Sequence, residues 1–181
     1  NGPFGFGWSL SLPAITRKTD KGLPQYVDGG EDRPDSDIYI LSGAEDLVPV
    51  LTKDTHGNWT MQDVSSPNGQ YLIRRYRPRI EGLFARIERW TDRTNGEIHW
   101  RSISRDNITT LYGKANNSRI FDPADPDPDH PTRIFSWLMC ESYDDKGNAI
   151  VYEYAEENED NVTRAQANER NRVRTANRYL K

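Results

Sequence analysis

Short alternating runs of apolar and polar residues, each closed by Gly, Asn, Asp or Pro, fill most of this chain. A period of two with that punctuation predicts antiparallel strands joined by tight turns. Asp37 to Leu41 is the first such run, bounded by a Pro- and Asp-rich stretch before it and Ser42-Gly43 after it. Leu47, Val48, Val50 and Leu51 follow; Pro49 among them predicts an edge or bulged strand, because proline has no N–H for the ladder. Lys53 to Asn58 supplies turn residues that tolerate left-handed backbone, Trp59 and Met61 alternate beyond it, and Pro67-Asn68-Gly69 makes the next turn. Tyr71, Ile73 and Arg75 share one face of the following strand. From Leu83 to Trp90, Phe84 falls on one parity and Ile87 on the other, which predicts a strand covered on both sides or bulged.

The second half keeps the rhythm. Asp92 to Glu97 contains Asn95-Gly96 between apolar runs, the strongest short-range hairpin signal. Ile98 and Trp100 alternate with His99 and Arg101, and Ile108 to Tyr112 closes on Gly113. Four prolines between Phe121 and Pro131 predict a loop. Ile134 to Met139 is apolar on both parities, as a buried strand is, and Asp144 to Asn148 turns into Ala149 to Tyr154 with Ile150, Tyr152 and Tyr154 on one face. Val162 to Lys181 has no apolar stripe wide enough to dock a helix, so weak helix or irregular structure is expected there. The fold class is therefore all-β: a curved antiparallel sheet of hairpins with a short helical or irregular C-terminal segment. Asp54-x-x-Gly57-Asn58, Asp92-x-x-x-Gly96-Glu97 and Asp144-x-x-Gly147-Asn148 share a turn pattern at irregular spacing. Such turns arise in any hairpin-rich sheet or mark a degenerate repeat.

Composition narrows the classes. At 181 residues the chain fits one domain or a slice of something larger. No apolar run is long enough for a membrane-spanning helix, and the opening residues lack the basic and apolar regions of a signal peptide. One cysteine, Cys140, allows no internal disulfide. A formal net charge of −4 argues against nucleic acid as the main partner. Five Trp, nine Tyr and five Phe argue against disorder, while only 34% hydrophobic residues predicts a thin core leaning on aromatics.

Candidate chemistry is sparse. His56, His99 and His130 have no ligand partner at metal-binding spacing. Asp122, Asp125, Asp127 and Asp129 are interleaved with prolines and lack the glycine of a calcium loop, so a solvated loop is expected. Cys140, following Met139 in an apolar run, reads as a buried inert thiol. Glu157-Asn158-Glu159 has the E-x-E form of ADP-ribosyltransferases but lies in an acidic run without their Ser-Thr-Ser strand. Nucleophile-elbow and phosphate-loop motifs are absent. The arginine run is denser: Arg74, Arg75, Arg77, Arg79, Arg86, Arg89 and Arg93 are interleaved with Tyr71, Tyr76, Phe84 and Trp90. Stacking and charge of that kind bind single-stranded nucleic acid or glycan, whereas cross-strand ion pairs and Arg–aromatic stacking explain the same residues without a ligand. The second explanation is favoured, because Glu81, Glu88 and Asp92 lie among the arginines.

The opening GPFGFGWSLSLPAITRKTDKGLPQY, Gly2 to Tyr26, resembles the SpvB N-terminal domain family, which also occurs in the B subunits of insecticidal toxin complexes (Tc toxins). LSGAEDLVPV (Leu41 to Val50), YRPRIEGLFARIERW (Tyr76 to Trp90), HWRSISRDNITTLYG (His99 to Gly113), RIFSWLMCESYDDKGNAIVYEY (Arg133 to Tyr154) and ANRYLK (Ala176 to Lys181) are similar to it in the same order. Tyr143 to Asn148 is similar to half a YD repeat. The resemblance implies that residues 1–181 are an SpvB-type β segment of a much longer chain, part of an Rhs/YD-type β-shell, whose edges would pair with segments outside it. It implies a non-catalytic structural role in a secreted bacterial toxin-complex B subunit, cytoplasmic before release. The implied partners are the C subunit that shares the shell, the A subunit through other domains, and an enclosed cytotoxic effector polypeptide, with no nucleic acid and no direct membrane insertion. The alternative is a secretion- or translocation-associated domain of an ADP-ribosylating toxin whose catalytic domain lies elsewhere. No catalytic, cofactor-binding or metal residue of the family maps onto this chain, and no cofactor is expected. Containment predicts a polar inner face, Phe4, Phe6 and Trp8 as wedges pinning the opening segment, and Ile134, Phe135, Trp137 and Tyr152 as interior packing.

Overall fold

The computed structural model describes residues 6–7, 10–20, 22–30, 33–42 and 45–181. Strands β1 (Ala14–Arg17), β2 (Tyr39–Leu41), β3 (Asp46–Pro49), β4 (Leu51–Lys53), β5 (Trp59–Met61), β6 (Asp63–Ser65) and β7 (Tyr71–Pro78) form the first half. The second half holds β8 (Arg86–Asp92), β9 (Ile98–Ile103), β10 (Thr109–Tyr112), β11 (Arg119–Phe121), β12 (Ile134–Tyr143), β13 (Ala149–Val151), β14 (Tyr154–Glu156) and β15 (Arg178–Leu180). Every pairing among them is antiparallel, as the alternation predicts.

The expected curved sheet goes further and closes. The order β1-β2-β3-β7-β8-β9-β10-β12 returns to its start because β12 pairs β1 through Ala14↔Leu138, Ile15↔Trp137 and Thr16↔Ser136. Eight strands enclose a space about wide enough for side chains to fill. Two long strands organise the circuit. β7 carries both β3 and β6 opposite β8; β12 carries β10 and β11 along one side and β1 and β13 along the other.

The interior holds a packed aromatic core beside the buried Arg17, Arg74 and Arg89, so the concave face expected to be polar is polar only in part. Ile15, Tyr39, Leu47, Tyr76, Ile87, Trp100, Ile134 and Trp137 are buried together. Tyr39, Tyr76, Trp100 and Trp137 meet edge-to-face or tilted, their ring centroids between 4.9 Å (Tyr39–Trp100) and 6.0 Å (Trp100–Trp137) apart. Such contacts add to the area the rings bury, so few residues suffice for the core. Trp137 donates Nε1–H to the Ile98 carbonyl at 2.8 Å. Ile134 and Trp137 are interior as expected, Tyr152 packs partly buried against the cluster, and Phe135, where β12 shifts register against β11, is half-buried outside it. At Gly113 (φ +64°) an added Cβ would lie 2.3 Å from Trp137 Cδ1, so the backbone at the end of β10 approaches the indole closer than any side chain permits.

Several expectations shift. Pro49 ends β3, and β3 is interior, between β2 and β7; the strand breaks after it, and β4 and β5 leave the barrel as a separate hairpin. Phe84 precedes β8 with φ +49° and is 66% exposed, so the strand begins later than its aromatic suggests. The segment after Asn148 breaks at Val151, leaving Ile150 exposed while Tyr154 turns inward to donate its hydroxyl to the Met139 carbonyl at 2.7 Å. Residues 162–177 are irregular, and Arg178–Leu180 pair with β14. Phe6 is 89% exposed and pins nothing; Phe4 and Trp8 lie outside the described residues. Two of the three Asp–Gly turns are built alike. Asp54 accepts from the His56 and Asn58 amides, and Asp144 accepts from those of Lys146 and Asn148.

Candidate functional site

Among the described residues, two clusters of charged side chains bear on the barrel, one inside it and one on its wall. Inside, the β1–β2 connection folds back onto the core. A segment with no strand partner must satisfy its backbone by other means, and here three arginines supply them. Arg17, at the end of β1, grips Asp28 with two N–H···O bonds (2.8 and 2.7 Å), donates to Asp37 at 2.8 Å and to the Ile134 carbonyl at 2.6 Å. Its guanidinium also lies 5.0–5.4 Å from the ring centres of Tyr26, Trp137 and Tyr39. Arg74 of β7 donates to the Gly30 and Arg33 carbonyls (2.7 and 2.9 Å) and to both Asp63 oxygens. Arg89 of β8 donates to the Gly29 carbonyl at 2.7 Å and pairs with Asp35, which also accepts from the Tyr76 hydroxyl. All three guanidinium-bearing side chains are 1% exposed or less.

The electrostatics follow. Burial alone would raise the Asp28 carboxyl, but the Arg17 guanidinium and the Tyr39 hydroxyl bonded to it hold it below the ordinary carboxylate value. Burial raises the Tyr39 and Tyr76 phenols, so both stay protonated donors. The segment is wound so tightly that a Cβ on Gly29 would lie 2.0 Å from the Arg33 carbonyl oxygen.

On the wall, the outward positions of β7 to β10 form an open cleft of about 370 Å³ lined by Tyr71, Trp90, Asp92, Glu97, His99, Arg101, Leu111, Lys114, Arg119 and Tyr143. Its floor is a ring cluster: Tyr71–Trp90 5.6 Å, Tyr71–His99 5.5 Å and Trp90–His99 5.7 Å between centroids. Arg101 stacks over Trp90 at 4.6 Å and donates Nε–H and Nη2–H to Glu88 at 2.9 and 2.7 Å; Trp90 Nε1–H reaches the same carboxylate at 3.1 Å. Arg119 bonds the Gly113 carbonyl at 2.5 Å and pairs with Glu97. Burial, with Arg119, Lys114 and Arg101 nearby, depresses the His99 imidazole from 6.5 to about 4, so it is neutral at physiological pH.

The arginine run therefore divides. Arg74 and Arg89 turn inward, and Arg86 joins Arg101 on Glu88 outside. The three histidines are dispersed as the sequence suggests, with His56 in the β4–β5 turn, His99 in the cleft and His130 in the Asp/Pro loop. Among the described residues no group of three His, Cys, Asp or Glu could hold a metal ion. In the Asp/Pro loop, Asp125 is buried and accepts from the Thr132 and Arg133 amides at 3.0 and 2.7 Å. Cys140 is a buried free thiol donating to the Leu111 carbonyl at 3.3 Å. Glu157 binds Arg172, Arg174 and Asn177, and Glu159 pairs with Arg164, so the E-x-E glutamates brace the C-terminal segment. Sequence reasoning missed Arg17 and the carboxylates of the 23–37 segment, since nothing local marks a loop aspartate as the partner of a strand arginine. His99 and Arg101 had a signal: they alternate with the buried Ile98 and Trp100.

Comparison with known proteins gives a consistent result. A family model described as SpvB, Salmonella virulence plasmid 65kDa B protein, matches residues 1–181. The mono(ADP-ribosyl)transferase SpvB of Salmonella typhimurium is 37% identical over 184 residues, covering 99% of this chain but 29% of that relative. The N-terminal domain of effector protein SpvB from Salmonella typhimurium strain LT2 superposes with a TM-score of 0.79 at 34% identity, covering 99% of this chain and 53% of the other. The TcdB2-TccC3 structure matches at TM-score 0.74 and 29% identity, over 99% of this chain and 8% of the larger one. This chain thus spans less than a third of the curated relatives it matches. Among the described residues no helix is long and apolar enough to cross a membrane.

Proposed function

Because the chain belongs to the SpvB family, we propose that it is a non-catalytic wall unit: a self-closed barrel built into the shell of a secreted bacterial toxin-complex B subunit. In that role it shares the shell with a C subunit, meets an A subunit through other domains of its chain, and helps enclose an effector polypeptide. The observation that carries this reading is how the charged side chains inside the barrel are used. Arg17, Arg74 and Arg89 direct donors to the chain's own carboxylates and carbonyls, holding the 23–37 segment against the core, with Arg89 Nε left buried and unpartnered. A wall needs such groups for rigidity, whereas a catalytic site needs them free to meet a substrate. The match to TcdB2-TccC3 across 99% of the chain adds support.

A second reading rests on the 37% identity to the mono(ADP-ribosyl)transferase SpvB: the same barrel precedes a transferase domain and assists its secretion or translocation. Both readings make this segment non-catalytic. The test uses the full-length protein co-expressed with a C-subunit partner carrying its effector region. Trp137→Ala, which removes a fully buried indole, is expected to impair assembly or expose the enclosed polypeptide to protease, while Phe6→Ala leaves protection unchanged. Normal protection with Trp137→Ala would overturn the wall role. Heat from NAD binding that Trp137→Ala abolishes would overturn the non-catalytic assignment.

A further inference from the structure

The outer cleft has a chemistry that the wall role does not require. Its acids are already engaged. Asp92 accepts from the Thr94 amide at 2.7 Å and from Gln70 Nε2 at 2.9 Å, and Glu97 is held by Arg119 and Asn95. Arg119 is equally engaged, but Lys114 and Arg101 are less so. Lys114 is 57% exposed and its carboxylate partner, Glu141, lies 3.9 Å away, the outer limit of an ion pair. Arg101 is committed to Glu88 through Nε and Nη2, and its side chain remains 27% exposed at the cleft. Two partly engaged cations, Arg101 from β9 and Lys114 from the connection after β10, thus border a floor of Tyr71, Trp90 and His99 rings. Burial first, and the nearby Arg119, Lys114 and Arg101 cations second, keep the His99 imidazole neutral, so it joins the floor as an uncharged ring. Aromatic walls with a few convergent polar groups are what small-ligand sites are made of, and the volume falls in their range.

We propose that this cleft binds an organic carboxylate carried on a flat ring, with Lys114 and Arg101 meeting the charge and Tyr71, Trp90 and His99 packing the ring. The ligand is either a free aromatic acid or a glutamate beside an aromatic residue in a polypeptide. A charge-assisted hydrogen bond is about twice as strong as a neutral one, and the rings contribute whether or not the ligand is charged. Charge should therefore change affinity while the ring sets a floor to it.

Ligand-observed saturation-transfer NMR on the full-length protein reads this directly. The probes are 4-hydroxyphenylacetate, its neutral amide, and tyramine, which share one ring. The acid is expected to bind about tenfold more tightly than the amide, a difference of about 1.4 kcal/mol, and tyramine more weakly than the amide. Lys114→Met, at an exposed position where folding is not at stake, is expected to bring the acid down to the amide's affinity and leave the amide unchanged. Acetyl-Phe-Glu-amide binding more tightly than the free acid, with acetyl-Phe-Gln-amide weak, would support the polypeptide source; the reverse order would support the free acid. Equal affinity for acid and amide, acid binding indifferent to Lys114→Met, or no transfer from the acid at millimolar concentration would each overturn the proposal.

Discussion

Strands β7 and β8 serve two environments from one sequence, and the same arginine chemistry ends differently on the two faces. Inward, Arg74 sits opposite Arg89, and each is surrounded by carboxylates and carbonyls of a segment that folds in to meet it. Outward, Glu88 sits opposite Arg75 on β7 and Arg101 on β9, and the guanidinium of Arg101 lies over an indole at the edge of an open cleft. Inside, desolvation makes an unpaired charge very costly, so every guanidinium must be met by the protein itself. Outside, water tolerates a cation that is only partly engaged, and that tolerance leaves room for a ligand.

The largest expected effect comes from breaking the inner lattice. Arg17→Met leaves Asp28 and Asp37 buried without their cation and is expected to cost about 3–5 kcal/mol in denaturant unfolding. Adding Asp28→Asn and Asp37→Asn to that variant should recover part of the loss. Failure to recover any would mean that Arg17 matters mainly through its packing on Tyr26, Tyr39 and Trp137.

A pH series separates the wall from the interior. The His99 imidazole titrates at about 4 in the folded protein, below the ordinary 6.5, so the unfolded chain takes up the proton first. Stability from this residue is full above about pH 6.5 and is lost progressively as pH falls to about 4, in all about 3 kcal/mol. His99→Gln should flatten that window. Asp28, held low by Arg17, contributes in the same direction only at lower pH, as the unfolded carboxyl protonates near its ordinary value of 3.8. A curve unchanged by His99→Gln would show that the imidazole is not desolvated.

The smallest effect belongs to the surface. Phe6→Ala, at a side chain 89% exposed, is expected to change unfolding free energy by less than about 0.5 kcal/mol. A loss comparable to that of Arg17→Met would restore the wedge role that the sequence suggests for this phenylalanine.

The hairpins were legible because their signals are local. Asn95-Gly96, Asp54 to Asn58 and Asp144 to Asn148 turn the chain through the conformations of a few adjacent residues, and the Ile98–Arg101 alternation sorts its side chains without help from elsewhere. Phe6 and Phe84 misled for the opposite reason: hydrophobicity says that burial is favourable, not that a partner surface is within reach. Of the cleft, Tyr71, Trp90, His99 and Arg101 stood out by residue type, but Lys114 and Arg119 arrive from another part of the chain and carry no mark of their destination.

Residue order alone settled the all-β class, the turns and the reliance on aromatic rings, since each depends on propensities and contacts a few positions apart. Closure of the sheet through Ile15↔Trp137, the inward turn of Arg17, Arg74 and Arg89, and the meeting of cations and rings on the wall were decided by the tertiary structure. The physical reason is separation along the chain. A barrel joins its first strand to its twelfth, and a buried charge is stable only beside a counter-charge that folding brings from far away.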